Sequence, residues 1–295
     1  MEIAEMHRAL LSRLLPDDGP GDRIVRRGQF HHVVIGSDRV VCLPRTEAVA
    51  ARLPARAAVL RALAGLDLGF RTPEPLSEGG DCGSREGHDS CEVPYLVLSR
   101  IPGKPLEAGA LADPAVADVV AAQYASLLAG LARAGADEKV RVALPVAPES
   151  RWRQFAAEVR AELFPLMSGS GRRRAERELT AVSGLPHITC AVVHGDLGAE
   201  NVLWERTGGM PRLSGIVDWD EAAIGDPAED LAAIGASYGE HFLGRVLARG
   251  DRLRPAGELA ARITAIRGTF ALQQALCGHL DGDEGEREEG LAGYR

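Results

Sequence analysis

No run of 18 consecutive apolar residues occurs in this 295-residue sequence, so no stretch of it has the unbroken composition of a membrane-spanning helix. The opening residues, MEIAEMHRALLSRLL, lack the basic start and continuous apolar core of a secretory leader. Cysteine is sparse and scattered. The five residues Cys42, Cys82, Cys91, Cys190 and Cys277 form no CxxC pair, which argues against both a zinc site and a disulfide framework. Cys82 and Cys91, flanking His88 in polar text, are near enough to meet but are read as free thiols of a reducing compartment. Positive charge is in deficit, with 34 basic against 42 acidic residues and a net charge of -8, which disfavours a nucleic-acid partner and suits a cationic one. No internal repeat is present. The absences describe a cytoplasmic globular protein with neither a membrane nor a nucleic acid as partner.

What is there is ordinary in bulk. Hydrophobic residues make up 45% and charged residues 26% of the chain, and the 34 glycines and 17 prolines are dispersed, so global disorder is excluded. The length allows one large or two medium domains, each with its own core.

The periodicity predicts a helix over 3–15, ended by the Pro16, Gly19, Pro20, Gly21 cluster. Three short strands follow, IVRRG, HHVVI and RVVCL, turning at Gly28-Gln29-Phe30 and Gly36-Ser37-Asp38. A helix over 48–66 comes next, then a Gly/Ser/Asp-rich loop over 75–94, and a strand over 95–101 ended by Pro102-Gly103. This outlines a small α+β lobe over 1–101. The remainder, 102–295, is mainly helical, with helices over 115–134, 151–167, 172–182, 231–248 and 259–280, and two β-like interruptions, ITCAVVHGD and RLSGIVDWD. The acidic run DGDEGEREEG reads first as a solvated helix face or loop and second as a binding surface.

The chemistry concentrates in His194-Gly195-Asp196-Leu197-Gly198-Ala199-Glu200-Asn201, which fits the H-x-D-L-x-x-x-N catalytic loop of kinases. Ile216-Val217-Asp218 then delivers a second carboxylate at a strand end. Phosphoryl transfer needs both parts: one carboxylate to take a hydrogen bond from the attacking hydroxyl, and a carboxylate with an amide oxygen to hold Mg2+ against the phosphates. The five-residue offset from Asp196 to Asn201 lets one tight loop present both side chains, and NVLWERTGGMPRLSGIVD predicts a hairpin with a Gly-Gly turn that returns Asp218 beside Asn201. Taken singly, Asp196 and Asp218 are common turn residues; as an ordered set they are base and metal ligands. His194 orients the loop rather than moving protons. In Gly225-Asp226-Pro227-Ala228-Glu229-Asp230, Asp226 suits an N-cap, Pro227 the first helical position and Glu229 the return partner of a capping box, while Asp230 suits either that helix or an anchor for the catalytic loop.

HGDLGAENVLW and GIVDWDEAAIGDPAEDLA together resemble the aminoglycoside phosphotransferase family of kinase-like enzymes. GQFHHVVIGSDRVVCLPR, LRALAGLDLGFRTPEPLSEGG, YLVLSRIPG and IRGTFALQQAL look like its viomycin and capreomycin branch, over nearly the whole chain. The resemblance implies a two-lobed α+β kinase-like fold, with a sheet and one long helix in the N-lobe and a mainly helical C-lobe. It further implies a hinge near Ser99 to Pro102, where the backbone of Ser99, Arg100 and Ile101 bonds the purine of ATP or GTP. By the same resemblance Asp196 is the base, Asn201 and Asp218 hold Mg2+, and the acceptor is a hydroxyl of a cationic cyclic peptide antibiotic.

Two positions depart from the wider family. Cys42 stands where the strand usually carries Lys or Arg, and Arg56 where the following helix usually carries Glu. The triphosphate cation is therefore expected from Arg56 or, two residues past the strand, from Arg45. Asp220, Glu221, Asp281, Asp283 and Glu284 are expected to attract the cationic acceptor. The rival readings are a small-metabolite or aminoglycoside kinase of the same fold, and a nucleotide-binding pseudokinase.

Overall fold

The computed structural model describes residues 3–28, 30–80, 93–250 and 256–295. The chain forms two compact units, Met1–Leu106 with Glu200–Asp220, and Glu107–Ala199 with Glu221–Arg295. This grouping differs from a division at 101/102. Lys104 and Pro105 pair with Trp204 and Leu203, and the Arg71 N–H and C=O bond Ser214 O and Ile216 N at 3.1 and 3.0 Å, so the segment 200–220 packs with the first unit.

In the first unit, with elements numbered along the chain, two short helices, α1 (Ile3–Met6) and α2 (Arg8–Leu14), precede β1 (Ile24–Arg27), β2 (His31–Ile35) and β3 (Arg39–Pro44). After α3 (Glu47–Ala50) and α4 (Leu53–Ala64) come β4 (Pro75–Gly79), β5 (Tyr95–Ser99) and β6 (Lys104–Pro105). Strands β1 to β5 make one antiparallel sheet in the order β1-β2-β3-β5-β4. Its two-residue alternation decides what goes where. Val34 pairs with Val41 and Val41 with Val97, and these three share a face that packs on Leu11, Leu14 and Leu15. Burying each such side chain stabilises the unit by about 1.5–3 kcal/mol. Val33, Cys42 and Leu96 pair across the same strands and hence take the opposite face, which His31 shares by its two-residue offset from Val33.

The helix expected over 48–66 is split, because Pro54 has no N–H to continue α3 and instead takes the first-turn position of α4. The loop expected over 75–94 begins as β4; its residues 81–92, with Cys82, His88 and Cys91, lie outside the described residues. A second sheet of this unit joins β6 to the hairpin β8 (Val202–Thr207) and β9 (Met210–Ile216). Gly208 and Gly209, with φ of 60° and 84°, form the two-residue turn between paired Thr207 and Met210, a conformation that side chains resist.

The second unit holds α5 (Pro114–Ala136), α6 (Glu138–Ala143), α7 (Arg151–Glu158), α8 (Gly169–Ser183), β7 (Ala191–Val193), β10 (Ala223–Gly225), α9 (Ala228–Leu247), α10 (Ala256–Arg267), α11 (Phe270–Asp281) and α12 (Glu284–Leu291). Asp113 caps α5 by accepting the Ala115 N–H at 2.8 Å, with Pro114 at the first position. By length and composition α5 passes for a membrane span, with a mean hydropathy of 1.5 in its most apolar window. Here it is a core helix: Val120, Ala121, Tyr124 and Leu131 are buried, and a methyl on Gly135 would stand 2.4 Å from the Ala191 backbone on β7. The region expected as one helix over 259–280 breaks at Gly268-Thr269, where the buried Thr269 hydroxyl donates to Ile266 O at 2.6 Å. Helix α9 kinks at Gly239, whose φ of 83° no helix tolerates. A separate core gathers Val159, Leu163, Leu179, Leu272, Leu276, Leu291 and Tyr294.

Candidate active site

The catalytic-loop text begins where β7 ends. His194 is fully buried, and its Nδ1 accepts the Asp196 N–H at 3.2 Å, so that nitrogen is unprotonated and the ring braces the loop backbone. Asp196 itself is exposed. Gly195 has φ 86°, and a methyl there would lie 2.8 Å from Glu221 Cβ and 2.9 Å from Glu221 O, so only glycine fits beneath the loop.

Asp230, on the first turn of α9, accepts the N–H groups of His194 and Gly195 at 3.0 Å each. It is the loop anchor that the sequence left open. Burial pushes its pKa up to about 7, against the opposing pull of those two backbone donors. Ser237 Oγ, on the same helix, accepts the Ala199 N–H at 3.0 Å. Asp226 accepts the Ala228 N–H at 3.1 Å, as a cap should, and also takes the Arg262 Nε–H at 2.9 Å. Glu229 does not close a capping box; it pairs with Arg151 at 2.5 Å.

In the first unit the hairpin does what its spacing predicts. Val202 pairs with Ile216, and the Val217 N–H donates to Asn201 O at 2.9 Å, so Asn201 just before β8 and Asp218 just after β9 lie at the same end of the hairpin. Asn201 is buried and Asp218 exposed. Asp218 has φ 64°, the one positive φ among the described non-glycine residues, at a cost of about 1–2 kcal/mol. Trp219, 2% exposed, donates its Nε1–H to Ile216 O at 3.0 Å and stacks on Phe70 with centroids 6.4 Å apart. An amide oxygen and a carboxylate are hard donors, and Mg2+ needs only one or two protein carboxylates with water and phosphate completing its shell, so this pair fits that ion.

Beside this turn lies a polar cluster that sequence reasoning missed as a unit. Arg56 Nε forms an ion pair with Asp220 Oδ1, with 15% and 16% of the two side chains exposed. Arg56 Nη1 lies 3.3 Å from both ring nitrogens of His31, and His31 Nδ1 is 3.8 Å from Asp220 Oδ2. Burial, with the Arg56 charge added, lowers the His31 pKa to about 3, so the ring is neutral. Burial likewise pushes the Cys42 thiol up and keeps it uncharged. Burial works against the Arg56 charge, but the Asp220 and Asp218 carboxylates oppose it and the guanidinium stays protonated. Arg56 and Asp220, expected at phosphate and acceptor respectively, are thus each other's partners.

The remaining expected residues are dispersed. Arg45 donates to Gly28 O at 3.1 Å, beside the first hairpin turn. The backbone N–H groups of Ser99 and Arg100 donate to Glu74 O and Asp38 O, each at 2.8 Å, so neither offers that donor to a purine; Ile101 is buried. Glu221 is exposed next to Gly195. Asp281 and Glu284 are exposed, and Asp283 caps α12 by accepting the Glu286 N–H at 3.1 Å.

A family profile described as "Phosphotransferase enzyme family" matches residues 20–263. The viomycin phosphotransferase of Streptomyces vinaceus is 67% identical over 295 residues, covering all of both chains. Among solved structures, the GDP and kanamycin complex of APH(2")-IIia superposes with a TM-score of 0.78 at 21% identity, covering 97% of this chain and 96% of that one. A macrolide 2'-phosphotransferase type I does so with a TM-score of 0.71 at 22% identity, covering 100% and 98%. The backbone is that of the α+β kinase-like fold.

Proposed function

Since the chain belongs to the phosphotransferase enzyme family, we propose that it moves the γ-phosphate of ATP or GTP to a hydroxyl of a cationic cyclic peptide antibiotic of the viomycin and capreomycin type, in the cytoplasm, as a resistance activity. The end-to-end identity with the viomycin enzyme carries the choice of acceptor. The net charge of -8 supports it, since a cationic acceptor is drawn to an acidic protein.

In this reading Asp196 accepts the acceptor's hydroxyl proton, and the loop that carries it is fixed by His194, Asp230 and Ser237 before substrate arrives. Such positioning matters because phosphoryl transfer leaves the protein little covalent chemistry to do. Asn201 and Asp218 hold Mg2+, which when bound neutralises charge on the triphosphate. Arg45, which braces the Gly28 turn, and the backbone at Ile101 serve the nucleotide. Glu221, exposed beside the loop that carries Asp196, attracts the acceptor, with Asp281 and Glu284 adding long-range attraction.

Nucleotide consumption with viomycin, capreomycin, kanamycin and choline in parallel tests the proposal. The expected result is acceptor-dependent consumption with the two peptides far above that with kanamycin or choline. Consumption with kanamycin or choline alone would place the acceptor in the aminoglycoside or small-metabolite class instead.

A further inference from the structure

The family's usual strand cation and helix anion are replaced here by a helix cation, Arg56, facing a neutral thiol, Cys42. A phosphate would have to compete with the ion pair that Arg56 already makes inside the first unit. Its Nε is ion-paired with Asp220, and its Nη1 lies 3.3 Å from the ring nitrogens of the neutral His31. What the guanidinium holds is informative. Asp220 follows Asp218 by two residues, across a turn whose first residue sits in the left-handed region.

That turn is tied on its near side by the Val217 N–H to Asn201 O bond, and at its middle by the Trp219 Nε1–H to Ile216 O bond. Both ties run to the hairpin itself. The Asp220 ion pair ties the far side of the turn to a different element, α4. A bulky cation is tolerated there because the facing strand residue is a buried neutral thiol; a lysine at 42 would set two cations against each other.

We infer that Arg56 is a positioning residue, which through Asp220 fixes the turn of Asp218 and so the direction in which the Asp218 carboxylate presents itself to Mg2+. The inference rests on the reading of Asp218 as a metal ligand. It also replaces the expected phosphate-anchoring role of Arg56.

The test compares Arg56→Met, Asp220→Asn, the double variant Arg56→Met with Asp220→Asn, and Arg56→Lys. Mn2+ binding in the presence of ADP is followed by electron paramagnetic resonance, alongside kcat and nucleotide KM at saturating Mg2+. Each single variant is expected to weaken Mn2+ binding about tenfold and to lower kcat by roughly ten- to a hundredfold, with nucleotide KM within about threefold. The double variant should be no worse than either single variant, because one linkage is lost once. It also leaves no unpaired buried charge, so it should melt within a few degrees of wild type even if a single variant folds poorly. Arg56→Lys, which keeps the charge, should recover much of the Mn2+ affinity.

A tenfold rise in nucleotide KM for Arg56→Met with unchanged Mn2+ binding and a silent Asp220→Asn would make Arg56 a phosphate anchor and overturn the inference. So would multiplicative losses in the double variant. If wild type itself fails to bind Mn2+ with ADP, the metal reading of Asp218 has failed; if wild type binds and all variants bind equally, only the positioning role has failed.

Discussion

Asp230 and Ser237 stand seven residues apart on α9, about two turns along one face, and hold opposite ends of the segment that carries Asp196. One helix thereby sets the loop from both sides. Asp230→Asn offers a single acceptor oxygen where two N–H groups need partners, and Ser237→Ala strands the Ala199 N–H. Each should cost about 1–3 kcal/mol. Steady-state kinetics should show kcat lowered by roughly 5- to 150-fold, with nucleotide KM little changed. Unchanged kcat in both variants would remove the helix from loop positioning.

His31 gives stability a pH dependence of definite sign. Its folded pKa is about 3 against an ordinary 6.5, owing to burial and then to Arg56, so the unfolded chain binds its proton first as pH falls. The contribution is fully present above pH 6.5 and is lost between there and pH 3. By pH 5 the loss is on the order of 2 kcal/mol. Thermal melts should show wild type losing Tm more steeply than His31→Gln between pH 7 and 5. Parallel curves would mean that His31 is not held neutral.

At Asp218, shape and charge separate cleanly. Asn tolerates a left-handed φ, so Asp218→Asn should fold like wild type yet bind Mg2+ poorly. Val does not, and Asp218→Val should in addition lose about 1–3 kcal/mol of stability. Denaturant melts of the two variants distinguish them, and equal stability would show that the turn relaxes without cost.

Asp283 illustrates why an acidic residue near the end of the chain need not touch substrate. As the cap of α12, Asp283→Ala should lower stability by about 0.5–2 kcal/mol and leave the acceptor KM within about twofold. A large KM change at unchanged Tm would return it to the acceptor.

The contiguous signals were legible in the sequence. His194 to Asn201 sit in one loop, the Gly-Gly turn sets the hairpin register, and the text from Ile24 to Leu43 breaks into three short strands at its two turns. Helix breaks were less so, although Pro54 in the first turn of α4 was a signal within reach. What stayed hidden depends on partners far apart in the chain. Arg56 and Asp220 carry no sequence mark of being paired, since the two positions lie on elements far apart in the chain. Ser237 was findable only once Asp230 had been fixed as the loop anchor, since the helical period then puts position 237 over the same loop.

The most direct measurement is the turnover of Asp196→Ala with ATP and viomycin, read as phosphorylated antibiotic by mass spectrometry. A fall in kcat of about 10²- to 10⁴-fold is expected, with nucleotide affinity and Tm close to wild type because Asp196 is exposed. Turnover within tenfold of wild type, in a variant that folds and binds nucleotide, would contradict the assignment of Asp196 as the base.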